Sequence, residues 1–487
     1  MEALLGSRPW AERIYSNGWR AGRGRRLDVL EPATGELLCT AASAGAEDVG
    51  DAAIRAAQAQ VGWSLTAPAA RGQVLRRCAE ILLQHLPEIQ GWLVRESGST
   101  CRKAEWEIRG AAADFVNAAA LTHEACGSLL APREVGQWSM ARRTALGVVG
   151  VITPWNSPLV LASRVLAPAL AMGNAVILKP DIQTPVSGGA VLAQAMERAG
   201  LPEGLLHVLA GAADVGEALC SCPGVAKISF TGSTSTGRRV AALAGEHLKR
   251  VSLELGGNNA YIVLEDADVE AAAKAGAFGS FFHQGQVCFS IGRHLVHASV
   301  YDAYVEALCR GAVELAVGNP VDPGTQVGPL INSRQLNRVH GIVQRSVQAG
   351  ARLVTGGRHE ALFYRPTVLA DVTESMDAFT QEIFGPVAPV TRVSSTEEAI
   401  RLAQASPYGL AAAVQTRDIA RGLAIADRLR VGIVHVNDQT IVRGGDAPVG
   451  GEGDSGNGGR AGHLVNADEW SAWQWLTMRG NGAAHGW

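Results

Sequence analysis

Short β-branched runs alternate with alanine-rich segments that close on glycine, and this rhythm limits the fold more than any other feature of the chain. ALGVVGVITPW (145–155) reads as a buried strand ending at a Thr-Pro break. VLASRVLAPALAMG (160–173) follows as a helix stopped by Gly173-Asn174, and AVILKP (175–180) is the next strand. The pattern continues with a helix in 187–200 and strands in 204–211 and 225–233. After VSLELGGNNAYIVL (251–264) it resumes with a helix in 268–282, a strand in 293–300 and a helix in 301–316. Strands alternating with helices predict doubly wound, mainly parallel sheets. The resumption predicts a second α/β domain starting near residue 255.

Two segments fit neither rhythm: REVGQWSMARRTAL (133–146) and the tail SAWQWLTM (471–478). Both alternate as edge strands do, with Trp473 and Trp475 on one face, and predict a small β-ribbon at a contact with another subunit. The expected fold class is therefore α/β, with two doubly wound, mainly parallel-sheet domains plus a β-ribbon oligomerisation element. The expected boundaries are 1–254 for the first domain (interrupted by 127–146), 255–456 for the second, and 127–146 with 466–487 for the ribbon.

Composition narrows the function class. A net charge of −3 and a pI near 6.5 give no electrostatic footprint for nucleic acid or an anionic membrane. The basic cluster Arg20, Arg23, Arg25 and Arg26 lies among glycines and reads as a solvated turn. No stretch reaches the roughly 18 to 20 apolar residues of a membrane span, and the N-terminus lacks the charged and apolar regions of a secretory signal. The eight cysteines form no regular framework, so reduced thiols in a cytoplasm are expected. Cys220-Ser-Cys222 has no second Cys or His cluster nearby to complete a metal site, and no metal is expected.

Several residues could carry chemistry. Cys288 stands in HQGQVCFSIGRH (283–294), where Gln284, Gly285 and Gln286 are poor core residues and Gly285 permits close backbone approach. It is a nucleophile if its thiolate is available, and otherwise a small core residue. Glu254, within VSLELGGNN, is costly to bury unless paired or functional; it is a general base or an edge-strand glutamate facing water. ITPWNSP (152–158) presents Trp155 and Asn156 at a strand end, where ligand sites in such sheets gather. Asn156 is an oxyanion donor or a turn residue. FTGSTSTG (230–237) turns a strand into a helix whose free N–H groups could hold phosphate, although capping serines begin many helices. Lys179, ending AVILKP, could reach a ribose or phosphate or be solvated. EIFGP (382–386) places a carboxylate and an aromatic ring beside a turn.

Their order decides between these readings. PWN, KP, FTGSTxxG, LELGG, GQxC and EIFGP occur in the sequence in which they occur in the aldehyde dehydrogenase superfamily, and the chain resembles that family from PATGE (32–36) to SGNGGRAG. Within it, LELGGNN, EIFGPVAPV and VHVNDQT resemble the bacterial benzaldehyde (aromatic aldehyde) dehydrogenases. The resemblance implies NAD(P)-dependent oxidation of an aldehyde to its acid. Cys288 would form a thiohemiacetal, Asn156 and the Cys288 N–H would hold the oxyanion, and Glu254 would activate the water that hydrolyses the ensuing thioester. The cofactor would lie near Trp155, Lys179, Gly232, Ser233, Thr234 and Gly237, with Glu382 and Phe384 at the nicotinamide end.

The chain departs from the family pattern in places. Ser157 follows Asn156 where many relatives have an aromatic residue, and Val449 replaces the usual phenylalanine in APVGG. Both would widen the substrate tunnel, with Phe282 and Phe289 as remaining walls. That fits a benzaldehyde-like aldehyde and equally a terpenoid or long-chain one. Ile182 stands where NAD-preferring relatives carry a glutamate, so NAD is expected with NADP possible. Asn258 stands where a lysine is common, a change the sequence does not explain. A homodimer or homotetramer is expected. Transfer of the acyl group to coenzyme A disagrees with retention of Glu254. An inactive binding protein disagrees with retention of Cys288, Glu254 and Asn156. A redox-free cysteine hydrolase would need His283 or His294 as its base and leaves the phosphate-loop motif without purpose.

Overall fold

The computed structural model describes residues 3–6, 8–441 and 446–480, so the end of the expected ribbon segment, 481–487, lies outside the described residues. The β-branched runs form two seven-stranded sheets. The first is ordered Arg250–Glu254, Lys227–Thr231, Val148–Ile152, Ala175–Lys179, Leu206–Val208, Ile14–Ser16, Trp19–Arg20. Its first five strands are parallel, and the N-terminal pair closes one edge antiparallel. Val148–Ile152 and Ala175–Lys179 are buried at every position, as helices on both faces require.

The second sheet is ordered Arg352–Thr355, Thr367–Ala370, Val387–Val393, Ile291–His297, Asn259–Val263, Ala411–Gln415, Ile433–Val436. Only its first pair is antiparallel. Helices Val269–Phe281 and Tyr301–Glu314 pack on one another beside it, within an apolar cluster that includes Tyr261, Tyr301 and Tyr304.

The two segments outside the rhythm pair with each other. Ser471–Arg479 runs antiparallel to Gln137–Ala145 over nine residues, and Gly127–Leu130 adds a third strand. Trp473 and Trp475 are 53% and 59% exposed, so this ribbon holds large apolar area in water. The four helices spanning Ala46 to Leu121, which the sequence rhythm did not mark, pack against the first sheet and its helices. The last of them, Cys101–Leu121, lies along Pro158–Ala171. No helix among the described residues is long and apolar enough to cross a membrane.

Candidate active site

The first sheet reverses its winding at Val148–Ile152. Ala175–Lys179 lies on one side of it and Lys227–Thr231 on the other. A crevice opens at the carboxyl ends of strands at such a point, because the two connections leave in opposite directions. Four of the predicted residues stand at these strand ends. Trp155 and Asn156 follow Ile152, Lys179 ends its strand, and Ser233 caps the helix Thr234–Glu246. Ser233 Oγ accepts the Thr236 N–H at 3.4 Å, and the Gly232 N–H donates to the Glu254 carbonyl at 3.0 Å.

The nucleophile candidate comes from the second half of the chain. Phe282–Gly285 is a single tight turn after the Val269–Phe281 helix, with His283 and Gln284 both at positive φ (50° and 57°). Gly285 is also at positive φ, and a Cβ there would lie 2.1 Å from the Gly385 carbonyl, so GQVC and EIFGP meet backbone to backbone. Asn156 Nδ2 donates to the Gln286 carbonyl at 2.8 Å, which joins the loop after Ile152 to the Cys288 loop.

LELGG lies between the two halves. The Gly257 N–H donates to Glu382 Oε1 at 2.9 Å, and Ser455 Oγ donates to the Gly256 carbonyl at 2.7 Å. A Cβ on Gly256 would sit 2.3 Å from Glu382 Oε2, and one on Gly257 2.8 Å from the Cys288 carbonyl. The glycine-rich loop thus closes over the site: Thr234 Oγ1 donates to the Asp454 carbonyl and the Leu255 N–H to that of Ser455.

A cavity of about 40 Å³ brings Cys288 and Glu254 onto one wall system with Phe289, Arg164, Arg460 and Trp470. It is large enough for an ordered water and is lined by groups that can hold one. Burial pushes the Glu254 carboxyl up to about 8; Arg164 and Arg460 oppose the rise and Glu469 adds to it. Burial likewise pushes the Cys288 thiol up to about 12, with the Glu382 and Glu254 carboxylates adding and Arg164 and the Phe289 N–H opposing. Both groups therefore rest protonated at neutral pH, and the thiol needs a base before it can attack.

Neither histidine supplies that base. His294 is fully buried and bonds Ser280 Oγ and Tyr304 Oη, each at 2.8 Å. His283 is buried with neither ring nitrogen partnered, and desolvation with the nearby Lys103 charge holds it neutral. The hydrolase reading loses its dyad.

Phe289, Val449, Phe282 and Cys288 share one apolar cluster with Phe278 and Ile441. Phe282 stacks on Phe278 (5.0 Å between centroids) and meets Trp106 edge-on at 5.9 Å. Ser157 is buried at the start of Pro158–Ala171 and is not among the residues lining that cavity. Gly237 is a packing position: a Cβ there would lie 2.4 Å from Leu255 Cδ2.

The residues at the strand ends fit a dinucleotide. Lys179 is a buried ammonium whose only hydrogen-bond acceptor among the described residues is the Pro180 carbonyl at a long 3.4 Å, and burial pulls its pKa down. Such a group calls for hydroxyl or phosphate oxygens. The helix start at Ser233-Thr234 offers N–H groups to an anion. The Trp155 and Phe384 rings meet edge-on at 5.6 Å. Glu382, pushed up to about 7 by burial, is held by Gly257.

Sequence reasoning missed Lys103, Glu107 and Arg164, and gave Gln286 no role of its own. Lys103 and Glu107 occupy buried positions of the Cys101–Leu121 helix, four residues apart, and two opposite charges on an apolar helix face were the available signal. Asn258, unexplained before, donates its side-chain amide to the Phe379 carbonyl at 2.7 Å, and its main-chain carbonyl accepts from Arg293.

The comparisons agree with this geometry. The model for "Aldehyde dehydrogenase family" matches residues 19–476. A vanillin dehydrogenase of Amycolatopsis sp. is 49% identical over 99% of both chains. A benzaldehyde dehydrogenase [NAD(+)] of Pseudomonas putida is 47% identical over 96% of both. Betaine aldehyde dehydrogenase of Staphylococcus aureus, solved in complex with NAD+, superposes with a TM-score of 0.94 at 30% identity, covering 98% of this chain and 97% of its own. A match to the family model along nearly the whole chain, two relatives near half identical over their full length, and a catalytic-type cysteine and glutamate on one cavity lead to one conclusion: this chain belongs to the aldehyde dehydrogenase family.

Proposed function

We propose that the protein oxidises aromatic aldehydes of the benzaldehyde type to carboxylic acids with NAD. The observation that carries this reading is the shared cavity of Cys288 and Glu254, walled by Phe289 and continuous with the Phe282–Val449 apolar cluster. The names of the vanillin and benzaldehyde dehydrogenases support the aromatic class.

Cys288 is the nucleophile. Glu254, nearly half ionised around pH 8, takes the thiol proton, and the thiolate adds to the aldehyde carbon. The oxygen of the adduct receives the second N–H of the Asn156 amide, whose first is engaged by Gln286. Bound NAD supplies the hydride acceptor, and loss of hydride from the adduct leaves a thioester on Cys288. Glu254 passes the thiol proton to solvent and, ionised again, takes a proton from a cavity water, which attacks the thioester and releases the acid and the Cys288 thiolate.

Lys179, Ser233, Thr234 and Trp155 hold the cofactor's ribose and phosphates, Gly232 shapes the turn beneath it, Gly237 lets the following helix pack against Leu255, and Glu382 with Phe384 takes the nicotinamide end. Ile182 packs against Leu27 and Val29, and Asp181 Oδ1 accepts the Gln183 N–H at 2.9 Å. Position 182 itself therefore offers no carboxylate to repel a 2′-phosphate, and NADP is accepted as a weaker alternative. Phe282, Phe289 and Val449 shape the substrate side.

Residues 1–254 without 127–146 act as the cofactor half, and 255–456 as the catalytic half. The ribbon of 127–146 and 466–487 joins subunits into a homodimer or a homotetramer. The exposed tryptophans and the open edge strand Ser471–Arg479 support this assembly. A cytoplasmic enzyme is the matching location.

The test is reduced-nicotinamide absorbance with NAD, and separately NADP, using benzaldehyde, vanillin, a long-chain aldehyde and geranial. Preference for the aromatic aldehydes supports the reading. Preference for the aliphatic or terpenoid ones keeps the mechanism and replaces the substrate class.

A further inference from the structure

Two fully buried charges lie directly behind Asn156. Lys103 and Glu107, one turn apart on the Cys101–Leu121 helix, are both 0% exposed and form an ion pair. Lys103 Nζ also donates to the main-chain carbonyl of Asn156 at 2.7 Å. The second oxygen of Glu107 accepts the N–H groups of Leu159 (2.8 Å) and Val160 (3.3 Å), two donors in the first turn of Pro158–Ala171. First-turn N–H groups have no partner within their helix, and a carboxylate there satisfies them and favours the positive end of the helix dipole. The pair therefore fixes the backbone on both sides of Ser157: the carbonyl of Asn156 before it and the helix start after it.

Burying such a pair in an apolar helix interface gives little net stability over well-packed apolar residues, since both ions lose their hydration. What the arrangement does provide is position. Asn156 is gripped at its carbonyl by Lys103 and at its amide by the Gln286 carbonyl, which leaves its side chain one orientation. An oxyanion donor acts only where it meets the developing charge, and displacement by about 1 Å can cost roughly 100-fold in rate.

We infer that Lys103 and Glu107 are positioning residues for the oxidation, acting through Asn156. The inference rests on the assignment of Asn156 as oxyanion donor above. Removing Lys103 alone would strand the Glu107 charge and could prevent folding. The variant of choice is therefore Lys103→Met with Glu107→Gln. The glutamine keeps an acceptor for Leu159 and Val160, both charges go together, and what is lost is the pair's own bond and the bond to the Asn156 carbonyl.

This double variant is expected to fold, to bind NAD with wild-type affinity, and to show unchanged alkylation of Cys288 by iodoacetamide. Its kcat falls roughly 30- to 100-fold with little change in KM for NAD. The same pair of changes in an Asn156→Ala background lowers kcat by less than about 3-fold, because the residue they act through is already gone. Wild-type kcat in the double variant, with Asn156→Ala impaired, overturns the inference alone. An equal fall in both backgrounds also overturns it and assigns the pair a purely structural role. Full turnover by Asn156→Ala overturns the oxyanion assignment, and this inference with it.

Discussion

Asn156 gives its amide to the carbonyl of Gln286, two residues before Cys288, at 2.8 Å. This one bond joins the strand end of the first sheet to the Cys288 loop from the second half of the chain. It uses one of two amide hydrogens, and the other remains for substrate oxygen. Asn156→Ala is expected to lower kcat by roughly 100-fold or more while leaving the KM for NAD within about 3-fold. Steady-state rates with benzaldehyde check this.

Glu254 links activity and stability to pH. Its carboxyl is pushed up to about 8, so its base form grows as pH rises through that value, and turnover should climb with an alkaline limb near pH 8. Glu254→Gln should abolish that limb along with thioester hydrolysis. The stability effect has the opposite sense. A carboxyl raised above its unfolded value of about 4.3 contributes stability that is full below that pH and is lost as pH rises through about 8. Glutamine keeps the neutral form throughout. The variant should therefore match the wild-type unfolding free energy near pH 4 and exceed it above pH 8, by about 1–3 kcal/mol once partial exposure is discounted. Calorimetry across that range provides the check.

Val449 is 2% exposed and packs in the cluster that holds Phe289 and Cys288. Val449→Phe would fill space that the proposed ring occupies. The expected result is a rise in KM for benzaldehyde of roughly 10-fold or more, with a smaller effect on acetaldehyde, as loss of a few kcal/mol of apolar fit implies. A substrate series on the purified variant separates this from simple destabilisation.

Trp475 lies on the open ribbon, its indole N–H donating to Ser139 Oγ at 3.0 Å while its ring is 59% exposed. If the ribbon joins subunits, Trp475→Glu should shift the protein to smaller species in sedimentation velocity. A burial of charge at an interface core is costly, whereas on a solvated ribbon it would change nothing.

The sheet cores and the nucleophile loop were legible in the sequence because their signals are local. Val148–Ile152 is a continuous apolar run, and Gly285 sits where backbones meet. Motif order, read as a resemblance, then linked Cys288, Glu254 and Asn156. What stayed hidden was tertiary. Lys103 and Glu107 look like any charged pair on a helix until Pro158–Ala171 packs over them. Arg164 lies within an apolar helix pattern, and its approach to Glu254 depends on the turn of that helix in the fold. Gly237, which the motif marks as a cofactor residue, packs against Leu255 because the helix must approach the strand end closely. The edge pair Ile14–Ser16 and Trp19–Arg20 was missed since such short strands carry no periodicity.

The central claim is that Cys288 carries the acyl group of an aromatic aldehyde. Its most direct test is peptide mass spectrometry of the enzyme quenched in acid during turnover with NAD and benzaldehyde, which traps the thioester before Glu254 can direct its hydrolysis. The account predicts one benzoyl group, on the peptide containing Cys288, formed only when NAD is present. No adduct, or one on another cysteine, would contradict it.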